Sequence, residues 1–377
     1  METVINIHQK VDIFCKIVDN FGDIGVCWRL AKQLHQEYDL PVRLFVDNLS
    51  AASKILTDIT NADEQQFDGV TIVRLDENTV FDSVADIVIE TFACGLPTAY
   101  LALMTQQNVW VNVDYLSAES WVPEFHGLNG KHHETKLTRH FYFPGFYDNT
   151  GGLLREQRLI TYRDDFQASD VMQHAFWQSL MVSAQPSDLT ISLFHYSNAP
   201  VDALLQSLVD GEIAVQVFMP TNSHVPTSIL GYSNLVAGDC LTLGNLTLHL
   251  LPFLQQADYD RLLWACDLNF VRGEDSWVRA VWAGKPFIWQ PYWQEDNAHL
   301  LKLNAFLTSF YQHTELQQTL VKLHEAWSTE RFHQEVWQHY LANLPEIAKH
   351  TQLQSRLVID QQDLASKLLA FCADLAN

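Results

Sequence analysis

Two short segments of the chain carry polar residues in an arrangement that suits chemistry on a bound ligand. In the first segment, Asp19 and Asp23 enclose Asn20, Phe21 and Gly22. A carboxylate on such a turn can orient a nucleophile and accept its proton. Asp23 directly precedes a helical pattern, so a helix N-cap is its competing structural interpretation. One cap leaves Asp19 unexplained, and Asp19 is therefore the first catalytic candidate.

The second segment runs through Arg272, Gly273, Glu274, Asp275 and Ser276. Gly273 lets the backbone approach a ligand closely. Arg272 and the N–H groups at the start of the following helix can hold a diphosphate without a metal. The two acids fit such a site if they cap the helix or accept hydrogen bonds from sugar or base hydroxyls. A simple Asp/Ser cap with a surface ion pair is the structural alternative.

Other patterns in the chain are weaker. The Asp-Tyr-Asp run at 258–260 matches a metal-binding spacing, but it lies inside a helical pattern that indicates surface charge. The His-His-Glu run at 132–134 lacks the spacing of a zinc site. The sequence has no GxSxG or P-loop motif, and the turn at 19–23 is not a GxGxxG dinucleotide fingerprint.

Both polar segments lie where a predicted strand gives way to a helix. Residues 11–18 predict a buried parallel strand before Asp19, and residues 26–36 predict a helix after Asp23. Further elements of the first half are strands at 42–46, 70–73, 86–92 and 108–113 and a helix from about Ser50. This alternation predicts a mostly parallel sheet. Residues 120–154 have little periodicity and predict long surface loops.

The alternation restarts near Leu189. The second half predicts strands at 189–196, 214–219, 246–251, 268–271 and 286–289, with helices at 199–208, 257–266 and from 276 through 283. The predicted fold class is α/β, with two Rossmann-like domains facing a central cleft and ligands beyond the carboxyl ends of the strands. The predicted domains are 1–170 and 171–360, with a helix at 361–377 that could cross back to the first.

Composition narrows the class of protein. The 377 residues are 47% apolar, which gives two domains enough material for cores. The formal net charge of −22 without a basic stripe predicts no nucleic-acid partner and no attachment to an anionic membrane. There is no secretory signal pattern, no run of 18 apolar residues, and no CxxC pair among six scattered Cys. These features predict a cytoplasmic protein with reduced thiols.

The two long motifs closely resemble one known family. Residues 18–26 and 270–276 are similar to the protein-arginine rhamnosyltransferases that modify elongation factor P, the EarP family. The resemblance covers essentially the whole chain and includes residues 90–95 and 286–292. It implies a GT-B glycosyltransferase fold, dTDP-β-L-rhamnose as donor, and an arginine side chain of elongation factor P as acceptor. It also implies inversion at the anomeric carbon without a metal or another cofactor.

The resemblance also implies roles for individual residues. The implied catalytic residues are Asp19 as the general base, Asp23 as support for the same pocket, and Glu274 as a second essential acid. Donor binding is implied for Asn20, Phe21, Gly22, Tyr196, Phe253, Leu254, Gln255, Arg272, Gly273, Asp275 and Ser276. Phe253 would stack on thymine. Because the pKa of a guanidinium lies far above neutral pH, full deprotonation before attack is costly, and a carboxylate can instead orient the group and accept its proton as the new bond forms.

Three other functions stay open at the level of sequence. The first is a GT-B enzyme that uses another nucleotide sugar and a small acceptor. The second is a nucleotide-sugar epimerase, which can share this architecture. The third is a scaffold that binds a charged partner without catalysis.

Overall fold

The structure is a computed structural model that describes residues 9–19, 21–182, 188–221, 235–312, 316–329 and 331–376. The described chain divides into two compact units. Unit 1 comprises the described residues of Met1–Gln157 and Gln361–Asn377, and unit 2 those of Arg158–Asp360. The division after Gln157 differs from the boundary predicted at 170/171.

Unit 1 is built around one eight-stranded sheet. Its strands are β1 (Val11–Cys15), β2 (Val42–Val46), β3 (Glu64–Phe67), β4 (Val70–Arg74), β5 (Ile87–Thr91), β6 (Val109–Val113), β7 (Asn129–Lys131) and β8 (Thr138–Tyr142). The helices before residue 157 are α1 (Gly22–Tyr38), α2 (Leu49–Ala52), α3 (Thr98–Leu101) and α4 (Val122–Phe125). The strand order is β3-β4-β2-β1-β5-β6-β8-β7, and every pair is parallel except β3–β4 and β7–β8.

The central strands are apolar because both faces of the sheet are covered. All five residues of β1 are buried between β2 and β5. Phe14 and Phe45 stack with ring centroids 4.5 Å apart, and burying each ring stabilises the fold by about 2–3 kcal/mol. The one charged residue of β1, Asp12, is paired with Arg43 at 2.6 Å.

The prediction of loops over residues 120–154 is wrong for part of that stretch. It contains α4, β7 and β8, and β8 pairs in parallel with β6 so that Tyr142 lies opposite Val113. Only Tyr142 of β8 is fully buried, which is why the alternation of apolar residues was too weak to predict a strand.

Unit 2 contains a six-stranded sheet. Its strands are β9 (Leu189–Leu193), β10 (Val215–Pro220), β11 (Cys240–Leu243), β12 (Leu246–Leu251), β13 (Leu268–Arg272) and β14 (Phe287–Gln290), in the order β11-β12-β10-β9-β13-β14. Its described helices are α5 (Leu159–Gln167), α6 (Asp170–Ser179), α7 (Val201–Val209), α8 (Gln256–Ala265), α9 (Asp275–Ala283), α10 (Ala298–Phe310), α11 (Gln317–Ser328), α12 (Gln334–Ala342) and α13 (Leu344–Ile359), with a 3-10 turn at Glu295–Asn297. All strand pairs are parallel except β11–β12.

Helix α5 belongs to unit 2 because its side chains bind the ends of two helices there. Gln167 donates to the backbone oxygens of Trp264 at 3.3 Å and Ala283 at 3.2 Å. Arg163 donates to the backbone oxygen of Trp282 at 2.7 Å. These contacts satisfy carbonyls that a helix end leaves without a partner.

The final helix, α14 (Leu364–Ala376), packs within unit 1. The Leu364 N–H donates to the Leu153 oxygen at 2.9 Å, and the hydroxyls of Tyr38 and Ser366 lie 2.8 Å apart. The Phe371 ring lies 5.5 Å from that of Tyr142. Among the helices described in either unit, none is both long and apolar enough to cross a membrane.

Candidate functional site

The loop between β1 and α1 places the Asp19 carboxylate against the first turn of the helix. The Asp19 carbonyl accepts the Gly22 N–H at 2.7 Å. A Cβ atom at Gly22 would lie 2.7 Å from Asp19 Oδ2, closer than van der Waals contact allows. Glycine at this position therefore leaves room for the Asp19 carboxylate in the place it occupies.

Asp23 fixes that loop and does not cap the helix. The N-cap is Phe21, which makes no side-chain cap hydrogen bond, so the N-cap prediction for Asp23 is wrong. Asp23 lies inside the first turn, and its Oδ2 accepts the N–H groups of Val18 at 2.7 Å and Asp19 at 2.8 Å. The side chain is buried, and burial raises the pKa of Asp23 more than these two N–H groups lower it.

The described residues of the first predicted segment lie together, in this loop and in the first turn of α1. The Lys54 ammonium lies 5.8 Å from the centroid of the Phe21 ring. Asn20, predicted to bind the donor, lies outside the described residues. The remaining predicted donor-binding residues belong to unit 2.

In unit 2 the structure brings Arg272 and Tyr196 together at the carboxyl ends of β13 and β9. The Arg272 guanidinium lies 4.3 Å from the ring centroid of Phe194 and 4.6 Å from that of Tyr196. It also donates to the His195 backbone oxygen at 2.8 Å. Arginine is positively charged and planar, so these contacts hold a fixed cation at the edge of the sheet.

The turn after Arg272 has its shape set by internal hydrogen bonds. Gly273 has φ +64°, its N–H donates to the Gln290 oxygen at 3.1 Å, and its carbonyl accepts the Trp289 indole N–H at 2.7 Å. The Ser276 hydroxyl donates to the Arg272 carbonyl and accepts the Arg272 N–H. Ser276, predicted to bind the donor, therefore closes the turn that presents Arg272.

Each of the two acids in this turn has a cationic partner. Glu274 forms an ion pair with Lys302 of α10, and both side chains are mostly buried. Asp275 accepts from Arg279 Nε at 2.9 Å. Glu274 is the N-cap residue of α9 but makes no side-chain cap hydrogen bond. The alternative of a simple cap with a surface ion pair therefore does not describe Glu274.

Asp260 overturns the interpretation of residues 258–260 as surface charge. Its side chain is buried and accepts from Arg279 NH1 at 2.7 Å, so that Arg279 bridges Asp260 and Asp275. Asp258 does pair with Arg261 in an exposed contact. The spacing of Asp275 and Arg279, four residues apart on a helix, was the sequence signal that could have found the bridge.

The loop from β12 to α8 carries Phe253, Leu254 and Gln255. Phe253 and Leu254 are partly exposed, and Gln255 is the exposed N-cap residue of α8, without a side-chain cap hydrogen bond. The next residue, Gln256, donates to Asp275 Oδ2 at 3.4 Å. This contact joins the Phe253 loop to the turn at 272–276.

Gln290 is a residue of this site that sequence reasoning missed. It is buried at the end of β14, where Oε1 accepts the Tyr196 N–H at 3.0 Å and Nε2 donates to Asn198 at 3.2 Å. A polar residue that ends an apolar strand was the available signal. No group of three or more His, Cys, Asp or Glu residues in the described ranges is arranged to hold a metal ion.

The chain is similar to members of one known family over nearly its whole length. The sequence model of the family described as Elongation-Factor P (EF-P) rhamnosyltransferase EarP matches residues 11–373. A protein-arginine rhamnosyltransferase of Pseudomonas putida is 42% identical over 369 residues, covering 96% of this chain and 97% of the relative. One of Pseudomonas aeruginosa is 39% identical over 371 residues, covering 96% and 98%.

Solved structures agree with the sequence comparison. A structure described as the basis for EarP-mediated arginine glycosylation of translation elongation factor EF-P has a TM-score of 0.70 and 33% identity, covering 96% of this chain and 98% of that chain. The spinosyn rhamnosyltransferase SpnG shares only the fold, with a TM-score of 0.51 and 10% identity, covering 95% and 98%.

The two Rossmann-like sheets and these neighbours define a glycosyltransferase of the GT-B fold class. Both long polar motifs lie inside the matched range. The chain belongs to the EarP family of elongation factor P rhamnosyltransferases.

Proposed function

We propose that the chain transfers L-rhamnose from dTDP-β-L-rhamnose to an arginine side chain of elongation factor P, with inversion and without a metal. The observation that carries this proposal is the position of Asp19, whose carboxylate lies beside Gly22 on a loop fixed by Asp23. Parallel α/β sheets bind ligands at this edge. Because the acceptor is a translation factor, we expect the reaction in the cytoplasm.

The donor is assigned to unit 2. Arg272, held against two aromatic rings and a backbone carbonyl, is preorganised for the diphosphate oxygens. The first N–H groups of the nine-residue helix α9 supply further donors and positive potential. Glu274, held by Lys302, can accept a hydrogen bond from a sugar hydroxyl. Phe253 offers a partly exposed ring for thymine.

The proposed transfer is one displacement. A guanidinium nitrogen of the acceptor forms a bond to the anomeric carbon while the bond from that carbon to the diphosphate oxygen breaks. The guanidinium proton passes to the Asp19 carboxylate, and dTDP leaves with the electron pair of the broken bond. Proton transfer during bond formation avoids a free neutral guanidine, which is costly at neutral pH because the pKa of a guanidinium lies far above that range.

The test is the intact mass of elongation factor P after incubation with the enzyme and dTDP-β-L-rhamnose. We expect a gain of one deoxyhexose on an arginine. Asp19→Asn should slow transfer by at least about a hundredfold while leaving donor affinity within about twofold. The matched control is Asp39→Asn, at the exposed C-terminal end of the same helix. Wild-type turnover in Asp19→Asn would eliminate the general-base role.

Donor selectivity separates this proposal from the other functions. Thermal stabilisation by dTDP, but not by UDP or GDP, supports the proposed donor. Epimerisation or hydrolysis of a nucleotide sugar without a protein acceptor would favour the epimerase or the small-acceptor enzyme. Absence of stabilisation by every nucleotide, together with no transfer, would favour a non-enzymatic scaffold.

A further inference from the structure

A turn with a strained backbone follows β5. It lies at the carboxyl ends of the parallel strands of unit 1, as Asp19 does. Phe92 and Ala93 have φ values of +55° and +52°, in the left-handed region that residues with a side chain rarely adopt. Strain of this kind persists only where surrounding contacts impose it, and it concentrates at functional sites. The site residues already described do not include this turn.

Hydrogen bonds to buried residues impose the strained conformation. The Phe92 N–H donates to the Val113 oxygen at 2.8 Å, and the Ala93 N–H donates to Asn112 Oδ1 at 2.9 Å. The fully buried Glu90 accepts the Gly95 N–H at 2.9 Å. The turn is therefore held at both ends by strands β5 and β6.

The effect of the turn is to orient one aromatic ring. The Phe92 ring stacks on the Tyr115 ring with a centroid distance of 4.3 Å and an interplanar angle of 12°. Both side chains are partly exposed. Asp114 lies next to this aromatic pair, where it accepts the Tyr115 N–H at 2.8 Å and the Asn112 side-chain amide at 3.3 Å.

The topology places the stacked rings of Phe92 and Tyr115 at the same end of the sheet as Asp19, where the parallel strands have their carboxyl ends. Strands β1, β5 and β6 are parallel neighbours, and Asp19, Phe92 and Tyr115 follow their respective carboxyl ends. Aromatic faces together with carboxylates attract a cation, and a planar guanidinium can stack on a ring as well as pair with an acid. A neutral sugar would use the ring but gains no charge attraction from the acids.

We propose that the aromatic pair, Phe92 and Tyr115, is the surface on which the guanidinium of the acceptor arginine stacks before transfer. This inference rests on the proposed function, because it takes the acceptor to be an arginine side chain. It makes Phe92 a specificity-determining residue for the acceptor, separate from the donor site in unit 2.

The variant that tests the proposal is Phe92→Leu. Leucine keeps an apolar side chain and the same backbone strain but removes the ring, so we expect KM for elongation factor P to rise about tenfold. KM for the donor should stay within about twofold. Phe92→Tyr keeps the ring and should restore the acceptor KM. Phe67→Leu is the matched control. Phe67 pairs with Val70, the first residue of β4, and so lies at the amino-terminal end of the parallel strands, away from Phe92.

A second measurement identifies the group that is recognised. The affinity of elongation factor P is compared with that of a version whose acceptor arginine is replaced by methionine. We expect the replacement to weaken binding to the wild-type enzyme but to change binding to Phe92→Leu much less. Equal losses in both enzymes, or a Phe92→Leu effect confined to the donor KM, would overturn the proposal. The proposed function fails separately, if wild-type enzyme transfers no sugar.

Discussion

At the scale of single residues, Asp19 in the β1–α1 loop and Asp23 in the first turn of α1 have different surroundings. Asp23 is buried and accepts two backbone N–H groups from the loop, one of them from Asp19 itself. Asp19 lies against Gly22, at the edge of the sheet. Asp23 therefore holds the backbone of the loop, and in the proposed mechanism Asp19 accepts the proton of the acceptor guanidinium.

Two substitutions at Asp23 separate a structural role from a requirement for charge. Asp23→Asn keeps an oxygen for the two N–H groups, so we expect a folded enzyme with transfer within about tenfold of wild type. Asp23→Ala leaves both N–H groups without that acceptor and should lower the free energy of unfolding by about 1–3 kcal/mol. Urea unfolding and transfer rates check both. A folded Asp23→Asn that is as inactive as Asp19→Asn would instead show that the Asp23 charge takes part in the reaction.

The raised pKa of Asp23 predicts that the free energy of unfolding depends on pH. Because burial raises the pKa of Asp23, the folded state keeps the proton at pH values where the unfolded state has lost it. The contribution of Asp23 to the free energy of unfolding therefore decreases as pH rises above the ordinary aspartate range and through its raised pKa. This component should be absent from Asp23→Asn when unfolding is measured across pH.

At the scale of elements, a buried ion-pair network fixes α9 and the turn at 272–276. Arg279 binds Asp275 on its own helix and Asp260 on α8. Asp275 is thus held by a residue one helical turn further on. Under the proposed function, a change in the packing of α8 against α9 should reach the residues proposed to bind the donor through this network.

Removal of Arg279 tests the network. Arg279→Met leaves Asp260 and Asp275 as poorly compensated acids, so we expect the free energy of unfolding to fall by about 3–5 kcal/mol. Affinity for dTDP should fall with it. The control is Arg261→Met on α8, whose exposed pair with Asp258 should contribute no more than about 1 kcal/mol. Equal effects of the two variants in urea unfolding would contradict a special role for the buried network.

Element positions and individual contacts were not equally predictable from the sequence. The apolar run at residues 11–18 predicted a buried strand, which the structure places at Val11–Cys15. The turns at Asp19 and Arg272 followed from the ends of such runs. Strand β8 was not predicted because only one of its residues is fully buried. The direction of the Asp23 carboxylate and the burial of Asp260 depend on neighbours distant in sequence, which periodicity does not report.

At the scale of the whole molecule, buried histidines set a limit on acid stability. His324 in α11 is fully buried, and burial lowers its pKa to about 4, although the Leu320 carbonyl at 2.9 Å raises it slightly. The unfolded chain binds a proton here near pH 6.5, so stability is lost as pH falls from about 6.5 towards 4. The loss from this one residue is about 3 kcal/mol.

Replacement of the histidine should therefore improve acid tolerance. We expect His324→Leu to move the midpoint of acid unfolding to lower pH, measured by circular dichroism. His333→Gln, at an exposed position, is the control and should leave the midpoint in place. An unchanged midpoint in His324→Leu would place the origin of acid unfolding elsewhere in the protein.

The return of α14 to unit 1 sets an order of maturation on the ribosome. Unit 2 is one uninterrupted stretch and can finish folding once residue 360 has left the exit tunnel. Unit 1 begins first but lacks α14, and with it the Leu364–Leu153 bond and the Phe371 ring beside Tyr142, until residues 361–377 have been made. A chain released after residue 360 should therefore have a protease-sensitive unit 1 while unit 2 stays protected, so the half that is made first is the half that matures last.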